Sequence, residues 1–365
     1  MTLAHVAAAV AGTLLVVVTL VSALETVVVP RAGVTRLTWA HFVSIRRVFD
    51  AVAHPRRDFL ARDRMLALYA PLALVTLPGT WVTLVIVGFS WIYWGTGVHG
   101  YDEALAISGS SLTTLGFDRP DGLGREILSI IEAVLGLGLV ALVISYLPST
   151  YSAFQRREAV VGGLQVRAGV PPSPVKLFVR YLRIGWLDKL GDRFPQWEDW
   201  FTDIEESHTS QAWLVFFRSP HPERSWITAA GCILDVAALH NALLDLPHDP
   251  QADILLRSGY LCLRRIASAF EIRYDDDPAP DDPITVTRDE FDAVVDELRA
   301  AGLPLVADLD QAWRDFAGWR VNYDTVLVNL AAMIIAPVAQ WSSDRQIRRP
   351  RPTLIRRHRQ RQALG

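Results

Sequence analysis

YDEALAISGSSLTTLGFD, residues 101–118, is the stretch whose reading decides the fold. It lies between two long apolar segments, 65–94 and 127–154, and it closes on Thr113-Thr114-Leu115-Gly116-Phe117-Asp118. It is too short and too polar to cross a bilayer itself. Apolar helix, short helix, threonine-rich turn with a glycine, apolar helix is the order of a re-entrant loop. Irregular backbone at membrane depth is tolerated only where it is buried in protein or lines a watery path. Gly116 permits backbone angles closed to most residues, so alternate carbonyls can be turned the same way.

Working outward, 65–94 is 30 residues without a charge, long for one crossing. Pro71 and Pro78 are candidates to break its first part, and a tilted helix is the other solution. Trp91, Tyr93 and Trp94 at its far end suit an aromatic belt at the outer interface. Segment 127–154 ends at Arg156-Arg157. Residues 4–24 are 21 in a row without a formal charge, enough for a spanning helix. They read as an anchor rather than a cleaved signal peptide, because nothing basic precedes them and Ser22-Ala23-Leu24-Glu25 is a poor cleavage site. Between 25 and 64 there are eight arginines (Arg31, Arg36, Arg46, Arg47, Arg56, Arg57, Arg62 and Arg64). Such an excess in a short loop places it in the cytoplasm and the amino terminus outside. Within it Phe42, Ile45, Phe49 and Val52 recur at helical spacing, with Arg46 and Arg47 off that stripe. Either an amphipathic helix in the inner interface or a helix packed on a cytosolic domain answers to this pattern.

The sequence of Thr114-Leu115-Gly116-Phe117-Asp118 resembles the TVGYG filter loop of the potassium channel superfamily, and the resemblance covers about 65–157. Around it, Glu132-Ala133, Gly136 and Gly138, then Ile144-Ser145-Tyr146-Leu147-Pro148, are similar to an inner pore helix with a glycine hinge and a proline bend. The resemblance implies a tetramer, because one loop per chain supplies a quarter of a ring. It implies Thr113, Thr114, Leu115, Gly116, Phe117 and Asp118 as the ion pathway, with carbonyls replacing the hydration shell of a permeant cation, K+ first. Gly136, Gly138 and Pro148 would be the gating hinge and bend, although the glycines also read as plain helix packing. Glu132 is an ionisable group in an apolar span, which must face protein or water. It reads as support for the short helix, partnered by Ser108, Ser110 or Ser111. Asp118 departs from the family: it stands for the last glycine, or follows that glycine's deletion. A ring of carboxylates there favours a non-selective or divalent cation channel, and a non-conducting sensor or scaffold is the further alternative.

At 365 residues, 51% apolar, with a net charge of −3 and mean hydropathy of +0.22, the chain suits a membrane third joined to a soluble remainder. Gly162-Gly163 and Val170-Pro171-Pro172-Ser173-Pro174 read as a linker, 158–174. Beyond it, helical patterns run over 175–190, 225–246, 250–274 and 308–341, the last with Trp313, Phe316 and Trp319 on one face. Thr287-Arg288-Asp289-Glu290 opens another as a capping box. The fold class that follows is an all-α membrane protein: three spans (the first 1–25), a cytoplasmic loop 26–64, and a pore helix and filter between the second and third spans. An all-α cytosolic domain over 175–343 and a basic tail over 344–365 complete it.

Eight arginines in 345–361 suit anionic lipid at the inner leaflet or simple solubility. No nucleic acid partner is expected. Cys232 and Cys262 read as reduced, buried thiols. His208, His221, His240 and His248 lack metal-ligand spacing, and Ser210, Ser219 and Ser225 lack a nucleophile elbow. Neither an enzyme nor a cofactor site is expected, and no metal beyond permeant ions.

Overall fold

Small residues bring the first two apolar helices together. The computed structural model describes residues 3–29, 35–52, 58–345 and 347. In it α1 (Leu3–Val27) lies along α4 (Tyr69–Gly95). A methyl group on Gly12 would sit 2.4 Å from the Gly88 carbonyl oxygen, and one on Gly95 would sit 2.5 Å from that of His5. Glycine at both contacts lets backbone meet backbone, which is how apolar helices associate where burial of oily surface gives no drive. Trp91 and Trp94 pack on α1 rather than standing free as a belt, with the His5 and Trp94 rings 5.0 Å apart. Tyr93, expected in the same belt, is fully buried.

The proline expectation is corrected. Pro78 lies inside α4, and Pro71 falls in its first turn, where a missing N–H costs nothing. The break sits earlier, at Leu68, between α3 (Phe59–Ala67) and α4. The stripe on α2 (Arg36–Val52) is also rotated from the expected one. Its buried face is Thr38, Trp39, Phe42, Val43 and Arg46, while Val52 is exposed. Arg46 is buried because its guanidinium lies over the Tyr69 ring at 5.1 Å and pairs with Asp50 at 3.2 Å. A hydroxyl cluster, Ser22···Thr35 at 2.6 Å and Thr26···Thr38 at 2.8 Å, joins α1 to α2. His41 bonds the Ala73 carbonyl at 2.9 Å and Thr80 at 3.0 Å, joining α2 to α4.

Two compact units emerge, the first from α1, α2, α4, α5 (Tyr101–Leu112) and α6 (Leu123–Ala168) as far as Tyr151. The second takes Asp58–Arg64 and everything described from residue 152 on. α6 runs unbroken through Pro148 and through Gly162-Gly163, so the expected linker shrinks to the turn after Ala168. Val161, Leu164 and Ala168, at helical spacing, bury one face of this extension and keep it folded.

The second unit is built from that extension with α7 (Pro174–Arg183), α8 (Phe194–Ser210), α9 (Trp226–Leu243), α10 (Pro250–Ala269), α11 (Arg288–Ala300), α12 (Leu309–Arg320) and α13 (Asp324–Ile334). The capping box at Thr287 and Glu290 forms as expected. The single helix expected over 308–341 is instead two. Arg320 at the end of α12 is fully buried and pairs with Asp235 at 2.6 Å and Asp324 at 2.7 Å, and Tyr323 donates to Asp235 at 2.9 Å. Arg345 pairs with Glu290 at 2.7 Å, and the other arginines of the basic tail, like Arg31, Arg56 and Arg57, lie outside the described residues.

All described structure is helix or loop, 74% helix and no strand. Among the described residues four helical stretches are long and apolar enough to cross a membrane: Leu3–Val27, Phe59–Gly95, Leu123–Ala168 and Trp226–Leu243.

Arg157, fully buried, donates to the carbonyls of Leu214 and Phe217, each at 2.8 Å, and lies 3.2 Å from Nε2 of His208. Burial, reinforced by the Arg157 charge, holds the His208 imidazole well below its ordinary range. An unfolded histidine titrates near pH 6.5. Below that pH the unfolded chain takes up a proton that the folded chain refuses, so stability is present above it and lost as pH falls. Chemical unfolding should show a midpoint that declines from pH 7 to pH 5, with a shallower decline in His208→Gln. Equal slopes in the two proteins would show that His208 is not the titrating group.

Candidate functional site

Glu132 enters the first unit from α6 as a fully buried carboxylate. Its Oε1 accepts a hydrogen bond from Ser108 of α5 at 2.5 Å, and its Oε2 accepts one from Tyr93 of α4 at 3.0 Å. Of the three serines expected as partners Ser108 is the one that reaches it. Ser111 instead bonds Ser129 of α6 at 2.7 Å, a second tie between the same helices. Ser108 also reaches the Ile86 carbonyl at 3.0 Å. One carboxylate and two hydroxyl bridges therefore hold the short helix between its long neighbours. Tyr93 was missed in the sequence because its aromatic neighbours made it read as an interface anchor.

Gly136 fixes how deeply α5 sits. A methyl group there would fall 2.1 Å from the Leu112 carbonyl oxygen at the end of α5, whereas one at Gly138 would meet nothing within 4 Å. Pro148 is exposed, and two residues earlier Tyr146 donates to the Leu74 carbonyl at 3.0 Å. The two glycines read alike in the sequence but have different surroundings: Gly136 is a packing position within this chain and Gly138 lies on an open face.

At the C-terminal end of α5 the chain turns back on itself. The amide of Thr113 donates to Gly109 O at 3.2 Å and that of Thr114 to Ser111 O at 3.0 Å. Those of Leu115 and Gly116 both donate to Ser110 O, at 3.0 and 3.4 Å. Thr113 also donates its hydroxyl to Gly109 O at 2.5 Å. Ser110 then clamps Asp118, accepting its N–H and donating to its C=O, each at 3.0 Å. Thr114 and Gly116 have φ of +58° and +69°, with Leu115 between them outside that region. Alternation of hand is the backbone pattern of concavities lined by N–H groups, and here the N–H groups of 113–116 are taken up by α5. For Thr114 the left-handed angle costs on the order of 1 kcal/mol.

The consequence is a division of the backbone. Four consecutive amides are satisfied by α5, while among the described residues no donor reaches the carbonyls of Thr113, Thr114, Leu115, Gly116 or Phe117. The side chains of Leu115 and Phe117 are exposed, and Asp118 is half-buried. So the structure brings residues 113–118 and Glu132 to α5, one at its end and one at its middle, and leaves Gly138 and Pro148 apart from that junction.

Among the described residues no group of three His, Cys, Asp or Glu side chains could hold a metal ion. No family model matches the chain, and neither a curated protein nor a solved structure was found similar to it.

The two glycines provide a paired test by thermal unfolding in detergent. Gly136→Ala should lower the midpoint by several degrees, since backbone must move to admit the methyl group. Gly138→Ala should leave it unchanged or raise it, as alanine is the better helix former by about 1 kcal/mol. Equal effects would refute the packing assignment.

Proposed function

We propose that the chain is one subunit of a homotetrameric cation channel, with α4, α5 and α6 as the pore unit and α1 as an additional span. The observation that carries this reading is the run of five carbonyls without donors at 113–117, on the same residues whose first four amides are satisfied by α5. Unpaired backbone polar groups are costly in an apolar setting. A ring of carbonyls is the arrangement that compensates a cation for its lost hydration shell, and a ring needs several copies of the loop. α6 supplies the surface for such assembly: Ile130, Val134, Leu137 and Ile144, spaced by four, three and seven residues, are each more than 60% exposed within one chain. An apolar stripe of that length calls for lipid or protein against it.

The proposed setting is the plasma membrane. The arginines of 25–64 put that loop and the second unit in the cytoplasm and the amino terminus outside. α9 is apolar enough to span, yet its own unit buries almost all of it and it carries Asp235 paired with buried Arg320, so it is assigned to the cytosolic core. Potassium is the ion that the resemblance of 114–118 suggests. A second reading, a non-selective or divalent pathway, draws on Asp118: Ser110 fixes its backbone from both sides, which would set four carboxylates at one level of a tetramer. Such a ring attracts cations and weakens discrimination among them.

Purified protein should run as a tetramer by light scattering and, in liposomes, pass potassium down its gradient. Asp118→Asn should reduce calcium entry at least severalfold while potassium flux persists. Monomers in mild detergent and native-like lipid, or tetramers silent to potassium, sodium and calcium after deletion beyond Arg157, would overturn the channel reading.

A further inference from the structure

The second unit contains a helix start that nothing satisfies. α9 begins at Trp226, and its N-cap Ser225 makes no side-chain cap bond. The first amide of this helix with an acceptor is that of Ala229, to Ser225 O at 3.0 Å. Among the described residues no acceptor reaches the amides of Trp226, Ile227 and Thr228, although all three residues are buried. Helix starts buried without partners are rare, because each amide forfeits a bond it had in water.

A small cleft opens at this point, lined in part by Ser219, Arg224, Ser225 and Trp226. Ser219 is 8% exposed and its hydroxyl has no partner, and the Nε of Arg224 is likewise buried without one. Arg218 also lines the cleft, but it is already committed to Asp63 and to the carbonyls of Ile334 and Ile335. Glu223 lines the adjoining cleft and is exposed. The groups left over are all donors: one guanidinium N–H, two hydroxyls and three amides at the positive end of an 18-residue helix. Donors converging on a helix start make an oxyanion site. The cleft is small, and Phe216, Phe217 and Ile334 form part of its wall, so the occupant is small.

We infer that this cleft binds a phosphate group, held by Ser219, Arg224, Ser225 and the amides of Trp226, Ile227 and Thr228. The site goes beyond the channel reading and does not depend on it. The phosphate can come from a soluble monoester or from a lipid headgroup, and the chemistry of recognition is the same.

The test is equilibrium dialysis of radiolabelled inorganic phosphate against the full chain in detergent, at constant ionic strength set with chloride. Saturable retention of one phosphate per chain is expected, with a dissociation constant below about 1 mM. Arg224→Gln and, separately, Ser219→Ala should each weaken it about tenfold, the size of a lost charge-assisted or buried hydrogen bond. Circular dichroism would verify that each variant keeps its helices, and either variant alone decides the matter if the other fails to fold. Competition by glycerol 3-phosphate at lower concentration than by phosphatidic acid micelles would assign a soluble source, and the reverse order a headgroup. Absence of saturable retention, or wild-type affinity in a folded variant, would overturn the site.

Discussion

The carboxylate of Glu132 is the constraint on which the first unit depends. It is fully buried among three apolar helices and takes its two hydrogen bonds from different ones, Tyr93 on α4 and Ser108 on α5. An ionisable group at such a place is expensive unless its oxygens are occupied. That expense makes the arrangement specific: only one depth and one rotation of α5 bring Ser108 to the carboxylate. Gly136 then sets the approach of α6 to the end of α5, since any side chain there would strike the Leu112 carbonyl. With depth and rotation fixed, the last carbonyls of α5 lie where the amides of 113–116 can reach them, and the turn closes. The geometry of the loop is thus inherited from a hydrogen bond made two turns earlier in the helix.

How much of this could be read in advance follows from the range over which each signal acts. The order of long helix, short helix, turn and long helix was legible, because charge-free length and glycine placement are local properties. So was Glu132 as an interior group, since a lone carboxylate in an apolar run has few places to go. Its second partner was not. Tyr93 lies among Trp91 and Trp94, and aromatic residues at the end of a span read as an interface belt until the glycine contacts with α1 are seen. Gly136 and Gly138 carry the same local signal and differ only in what another helix places opposite them.

The second unit teaches the same lesson more sharply. Residues 308–341 have continuous helical periodicity, yet the chain turns at 321–323. The cause is 85 residues away: Asp235, buried on α9, draws in Arg320 and Tyr323 together. Removing one partner would leave an uncompensated buried charge, which typically costs 3–5 kcal/mol, so a break in the helix is the smaller concession. Arg157 and Arg320 are both fully buried, and both sit where backbone carbonyls or carboxylates converge. Nothing in their own neighbourhoods of sequence distinguishes them from surface arginines. Gly162-Gly163 misleads in the opposite sense, since a glycine pair that looks like a linker lies inside α6, whose buried Val161 and Leu164 keep it helical.

The two candidate sites present unpartnered backbone of opposite sign. After α5, amides are satisfied and carbonyls are left; at the start of α9, carbonyls are satisfied and amides are left. Elsewhere the chain spends serine, threonine, aspartate and arginine side chains on such groups: Thr287 and Asp308 cap their helices, and Arg157 covers two loop carbonyls. The sequence therefore has the means to close helix ends, and at these two places it does not use them. At 115 and 117 it places apolar, exposed side chains, and the Thr113 hydroxyl is turned to Gly109 O, so neither competes for the carbonyls. At 225–228 it supplies Ser225 without turning its hydroxyl to the helix, and adds Ser219 and Arg224, further donors where an acceptor was needed. Carbonyls kept clear suit a cation, and donors added to amides suit an anion. The same accounting of main-chain hydrogen bonds thus separates the two sites by the charge of what each would hold.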